Sequence, residues 1–60
     1  MQHPDSAAAH NNLAQTLSDL GKLDAAQMAI QRALDIGGPL EAILRKTLAE
    51  IEEKKRGALK

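Results

Sequence analysis

The chain has 60 residues and a mass of 6.4 kDa, balances eight basic against eight acidic side chains, and contains no Cys, Trp, Tyr or Phe. A chain of this length buries only about 60% of its unfolded surface and has too little material to enclose a ligand pocket of roughly 300 Å³, so we expect one small domain that is not an enzyme. The zero net charge argues against general nucleic-acid binding, and because no apolar run approaches ~20 residues we expect no membrane insertion.

The composition favours helices, because the 11 alanines, the 9 leucines and the long charged side chains are strong helix formers. After a lead-in of residues 1–5, the first predicted helix runs roughly from Ser6 to Leu20, and Ser6 can cap its free backbone N–H groups. Leu13, Leu17 and Leu20 follow one another at i, i+4 and i+7, which predicts that they share one buried face.

The second predicted helix runs roughly from Asp24 to Ile36 and ends at Gly37. Asp24 and Gln27 resemble a capping box, in which each side chain bonds to the backbone N–H of the other residue. The predicted buried stripe consists of Ala26, Ile30, Ala33 and Leu34. The two alanines of this stripe are small enough to let two helix backbones approach closely.

The third predicted helix begins at Pro39 or Leu40 and ends at Arg56, so that Gly57 opens a tail of residues 57–60. One face is formed by Leu40, Ile43, Leu44, Thr47, Leu48 and Ile51, and the opposite face carries i, i+4 ion pairs predicted for Glu41–Arg45, Glu50–Lys54 and Glu52–Arg56. Residues 1–36 hold two basic and four acidic side chains, a balance of −2, whereas residues 37–60 hold six and four, a balance of +2. The two parts of the chain are therefore expected to attract one another.

The spacing of apolar and small residues in the first two helices follows a known repeat pattern. The first helix reads His10-x2-Leu13-Ala14-x2-Leu17, Gly21 falls in the turn, and the second helix reads Ala26-x3-Ile30 followed by Ala33. The segment from Ala7 to Gly38 thereby resembles one tetratricopeptide repeat, a helix–turn–helix unit of 34 residues, with His10 at the family's aromatic position. Pro4 lies 34 residues before Gly38, where the closing proline of a preceding repeat would fall.

This resemblance implies an all-α fold in which a tetratricopeptide-like antiparallel hairpin over residues 6–38 is followed by a capping helix over residues 39–56. It also implies a non-catalytic protein–protein interaction scaffold from the C-terminal end of a longer array. The sequence of the segment resembles that of bacterial members of the family. The family's concave groove is lined by first-helix residues that lie between the packing positions. In this chain those positions are Ala8, Asn11, Gln15, Ser18 and Asp19, which makes them the predicted face for a protein or peptide partner.

Self-association is the alternative function. At least three repeats are usually needed for stability, because each unit buries its face only by stacking on a neighbour. A lone unit could instead form a homodimer, either by helix packing or by exchanging the third helix across Gly37-Gly38. A DNA-binding domain is a weaker alternative, since no helix carries a basic stripe.

Metal ligands and catalytic groups are scarce in the sequence. His3 and His10 are the only imidazoles, and although Asp5 is near them no pair has the H-x3-H spacing of a helical metal site. The cationic run Lys54-Lys55-Arg56 complements the negative end of a helix dipole. We therefore predict no metal and no cofactor. Without a signal peptide or a membrane span in this sequence, a cytoplasmic location is the default expectation, while the compartment stays open.

Overall fold

Residues 6–58 are described by a computed structural model as three α-helices, with no strand among them. The helices are α1 (Ala7–Asp19), α2 (Leu23–Ile36) and α3 (Glu41–Ala58). α1 and α2 form a hairpin, and α3 packs mainly on α2 while also touching α1. The prediction of an all-α hairpin followed by a third helix is confirmed. The predicted lead-in with His3, Pro4 and Asp5, and the last two residues of the predicted tail, lie outside the described residues.

The ends of α1 are formed by local polar contacts and one glycine. Ser6 caps the helix as predicted, because its Oγ accepts a hydrogen bond from the Ala9 N–H at 3.3 Å. The His10 Nδ1–H donates to the Ser6 carbonyl at 2.9 Å and ties down the same turn. At the other end Gly21 has φ of 81°, a left-handed conformation that glycine adopts without steric cost, and the chain reverses there into α2.

The predicted capping box at the start of α2 is wrong. The helix begins one residue earlier, at Leu23, and its N-cap residue, Lys22, makes no side-chain capping bond. Both Asp24 and Gln27 bind Lys55 of α3 instead. A charged ammonium group from a neighbouring helix therefore replaces the backbone N–H groups as the partner of these two side chains.

Both ends of α3 differ from the prediction. The helix begins at Glu41, because residues 38–40 form a turn in which the Glu41 N–H bonds to the Gly38 carbonyl at 3.4 Å. At the far end α3 continues through Gly57 to Ala58, so that the predicted tail from residue 57 is partly helical. Gly57 has no positive φ, and a glycine without one weakens a helix without ending it.

The core lies where the three helices meet and is built largely from alanine. The fully or almost fully buried apolar residues are Ala14, Ala26, Ala29, Ile30, Ala33, Leu44 and Ile51, and Ala7, Leu17, Leu34, Leu40 and Leu48 pack against them. Ala14, Ala26 and Ala33 have no exposed surface at all, as expected of small residues where helix backbones approach closely. Ala29 was not among the predicted core positions, because alanine at that spacing carries little hydrophobic signal.

Three predicted core residues are exposed instead. Leu13 is 50% exposed, Leu20 is 67% exposed and Ile43 is 52% exposed. Successive residues are about 100° apart on a helix. The side chain of Leu13 is therefore directed about 100° away from that of Ala14, which is buried in the core. In a hairpin covered by one further helix, α1 and α3 each have neighbours on only part of their circumference, and these side chains lie beyond them.

Candidate binding surfaces

Lys54 fixes α3 to α1 at the hairpin turn. Its Nζ donates a hydrogen bond to Ser18 Oγ at 2.9 Å and lies 3.7 Å from Asp19 Oδ1. The ion pair predicted between Glu50 and Lys54 is therefore replaced by contacts that join two helices. Ser18 is only 8% exposed as a result, which removes it from the open part of the predicted peptide-binding face.

Lys55 fixes α3 to α2 at the same end of the molecule. Its Nζ donates to Gln27 Oε1 at 2.7 Å and pairs with Asp24 Oδ1 at 2.9 Å. The hydrogen bond from Lys55, together with its positive charge, lowers the pKa of Asp24 below the usual 3.8. Two consecutive lysines thus hold the two arms of the hairpin, because adjacent side chains on a helix diverge by about 100°.

A polar cleft separates α1 from α3 above this lysine pair. It is lined by Gln15, Ser18 and Asp19 of α1 and by Thr47, Glu50, Ile51 and Lys54 of α3, and its volume is about 210 Å³. Thr47 is buried, and its hydroxyl proton is already donated to the Ile43 carbonyl at 3.2 Å, so this group cannot donate to a ligand as well. Only Gln15 and Asp19 of the predicted peptide-binding residues present exposed side chains to the cleft.

The remaining predicted peptide-binding residues lie towards the start of α1. Ala8 is exposed, whereas Asn11 is half-buried. The Oδ1 atom of Asn11 is buried, and among the described residues it finds no hydrogen-bond donor. Such an atom is unusual in a folded protein, because a buried acceptor without a partner raises the free energy of the folded state.

The outward side of α3 is charged along its length. Glu41 and Arg45 form the predicted ion pair at 2.6 Å, whereas Arg56 pairs with Glu53 at 3.8 Å rather than with Glu52 as predicted. All of these side chains are largely exposed, so each pair contributes at most a few tenths of a kcal/mol. Their main effect is to keep this side of the molecule hydrated.

The opposite side of the hairpin is apolar, and we call it the open face. Its exposed apolar residues are Leu13 on α1, Leu20 just after α1, and Ala25 and Ile36 on α2; half-buried Leu17 lies at its edge, and exposed Arg32 lies between Ala25 and Ile36. At about 100° per residue, Leu13 and Leu20 lie roughly 140–160° round α1 from Ser18, which contacts α3. Ile36, which is 43% exposed, lies about 180° round α2 from Gln27 and about 120° from Asp24, the two α2 side chains that bind Lys55 of α3. The open face is thus turned away from α3.

The residues of the predicted repeat signature fall into three environments. Ala14, Ala26, Ile30 and Ala33 are in the core; His10 and Leu17 are half-buried; Leu13 is half-exposed on the open face, and Gly21 forms the turn. Within residues 6–58 no group of three His, Cys, Asp or Glu side chains is placed to hold a metal ion. Nor is any helix in that range both long enough and apolar enough to cross a membrane.

Comparisons of the sequence with protein-family models and with curated proteins, and a search of solved structures, found no match. The function is therefore inferred from the chain's own surfaces. Two of them face solvent with chemistry that a partner could use: the polar cleft and the open face.

Proposed function

We propose that this chain is a non-catalytic protein–protein interaction module, a tetratricopeptide-like hairpin with a capping helix from the C-terminal end of a longer helical array. The open face is the surface that docks on a helical element of another unit or another protein. The observation that carries the proposal is the contrast between the two outward sides of the molecule, one densely charged and one mainly apolar with Arg32 as an exposed charge.

The charged side fits the end of an array. In stacked helical repeats each unit contacts only its neighbours, and a terminal unit needs a polar outer face to stay in solution. α3 supplies such a face with Glu41, Arg45 and Arg56, while its buried side carries Leu44 and Ile51. This distribution supports a capping role for α3.

The apolar side is suited to packing against the preceding helical unit of an array. Leu13 on α1 is 50% exposed and Leu20 just after it is 67% exposed, whereas Ala14 on the same helix is completely buried. Clustered exposed apolar side chains on a small protein mark a surface that another molecule covers. Leu13 and Leu17 also occupy signature positions of the repeat pattern, which supports a preceding helical unit as one possible cover.

The polar cleft is the weaker candidate. At about 210 Å³ it is smaller than the roughly 300–1,000 Å³ of typical ligand pockets, and Lys54 already occupies its lower end. Peptide binding by Asn11 and Gln15 stays a prediction. Such binding would use the N-terminal part of α1, where the groove is shallow and few residues line it.

The proposal is tested by joining the full chain to the C-terminal end of a designed tetratricopeptide array and following thermal unfolding by circular dichroism. We expect a single transition at a higher temperature than that of the array alone, because the open face stacks on the last repeat. Leu13→Glu should abolish the gain. Ile43→Glu is the matched control, since Ile43 is equally exposed but lies on α3. Two independent transitions, unaffected by Leu13→Glu, would refute the proposal.

A further inference from the structure

We propose that the last turns of α3 form a strap that closes the polar cleft at the hairpin turn and that is released as the ionic strength rises. The strap is defined as residues 52–57, which follow Ile51, the last buried side chain of α3. This device is independent of the open face, because it lies on the other side of α1. It follows from the different ways in which the two parts of α3 are held.

The first part of α3 is held by buried side chains. Leu44 has no exposed surface, Ile51 is 1% exposed and Thr47 is 4% exposed. Leu40, just before the helix, and Leu48 also pack against the core. The free energy of burying apolar surface does not depend on a pair of charges, so this part of the helix should stay in place when charges are screened.

The strap has no such anchor. Its sequence is Glu-Glu-Lys-Lys-Arg-Gly, and none of these residues is buried. Among the described residues, its contacts with the hairpin are the hydrogen bonds and ion pairs of Lys54 and Lys55. Their carboxylate partners, Asp19 and Asp24, have side chains that are 80% and 92% exposed. Both ion pairs are therefore open to screening by dissolved salt.

The strap is also the part of α3 that unwinds at the lowest cost. The last four carbonyl groups of a helix have no partner within it, so its final turn is held by fewer hydrogen bonds than the turns before it. Gly57 lies in this final turn, and glycine is a poor helix former. Release of the two lysines therefore lets the strap unwind while the buried side chains upstream keep their places.

Lys54 connects the strap to the polar cleft. Its side chain lines the cleft and donates to Ser18, which is only 8% exposed. When the strap unwinds, Lys54 leaves, and Ser18 and Asp19 face solvent at the end of the cleft near the hairpin turn. The closed strap thus keeps a partner away from two of the predicted peptide-binding residues, and raised ionic strength makes them accessible.

The Cα chemical shifts of the full chain, labelled with carbon-13, report the helical population of each residue as sodium chloride is raised. Between about 0.01 M and about 1 M salt the screening length falls from about 30 Å to about 3 Å. We expect the ratio of unwound to helical strap to rise at least about threefold over this range. Residues 44–51 of the same helix should keep their helical shifts and serve as the internal control.

A pair of charge-matched variants separates release of the lysines from ordinary fraying of a helix end. Lys54→Gln combined with Lys55→Gln should raise the ratio of unwound to helical strap at low salt at least about threefold and should abolish the response to salt. Lys46→Gln combined with Arg56→Gln also removes two positive charges from α3. It should change the ratio by less than about twofold, because Lys46 is exposed and Arg56 pairs within α3.

An uncharged paramagnetic relaxation agent measures access to the cleft in the same samples. The signals of Ser18 should broaden more at high salt, and more in the double variant of Lys54 and Lys55, than in the native chain at low salt. A strap that stays equally helical at all salt concentrations overturns the proposal, as does equal unwinding in the two double variants. A Ser18 that stays shielded while the strap unwinds also overturns it. The salt titration of the native chain decides the question if the double lysine variant loses its fold.

Discussion

Replacing Ile51 by alanine should remove much of the free energy that holds α3 on the hairpin. Ile51 is 1% exposed, and the change deletes three buried carbons worth about 0.8 kcal/mol each, or about 2–4 kcal/mol once the cavity is included. The same change at Ile43, which is 52% exposed, removes roughly half as much buried surface and should cost about 1 kcal/mol. Both variants share any gain in helix propensity, so their difference isolates burial.

The stability of the whole chain makes this difference measurable. At about 0.05–0.15 kcal/mol per residue, a 60-residue chain has about 3–9 kcal/mol in total. Urea unfolding must be followed by far-ultraviolet circular dichroism, because the chain has no Trp or Tyr. We expect the midpoint to fall strongly for Ile51→Ala and slightly for Ile43→Ala. Equal losses in the two variants would show that α3 is not packed through Ile51.

Three further variants test local features of the fold. Asn11→Ala should raise the free energy of unfolding by about 1 kcal/mol relative to Asn12→Ala, because among the described residues only Asn11 has a buried side-chain oxygen without a hydrogen-bond donor. Urea titrations measure both variants, and equal changes in the two would contradict this prediction. Gly37→Ala should lower the free energy of unfolding by about 1–3 kcal/mol, because Gly37 has φ of 77° and ψ of −157°, a conformation that strains alanine. Gly57→Ala should raise that free energy by about 0.5–1 kcal/mol, because Gly57 is helical. A more stable Gly37→Ala variant would refute the turn geometry. Because the pKa of Asp24 is lowered in the folded state, its contribution to the stability of the fold is present above pH 3.8 and is lost as the pH falls through the pKa of the folded state. Acid should therefore lower the melting temperature more in the native chain than in Asp24→Asn.

The helices and their breaks could be predicted because the residues that decide them act locally. Gly21 and Gly37 both adopt positive φ, and the chain turns at each of them as the sequence indicates. The small residues Ala14, Ala26 and Ala33 were placed correctly in the core because their spacing matches one side of each helix. Local propensity and periodicity therefore account for the hairpin and for most of its buried stripe.

The remaining features depend on where α3 lies, which spacing alone does not determine. Lys54 and Lys55 were interpreted as complements to the helix dipole, yet they reach side chains 36 and 28 residues away. Those contacts displace the predicted capping box at Asp24 and bury Ser18. Leu13 fits a buried pattern by its spacing, but it is covered only if a further element packs on α1. The sequence can therefore identify an apolar stripe but cannot say whether this chain or a partner covers it.

The open face is tested most directly by amide chemical shifts in nitrogen-labelled protein as the designed array is added. Our account predicts that the largest shifts fall on α1 and α2 around Leu13, Leu20 and Ile36, and that they are absent in Leu13→Glu. Shifts centred on Gln15 and Glu50 would place the interaction in the polar cleft and contradict our account, as would a spectrum that the array leaves unchanged.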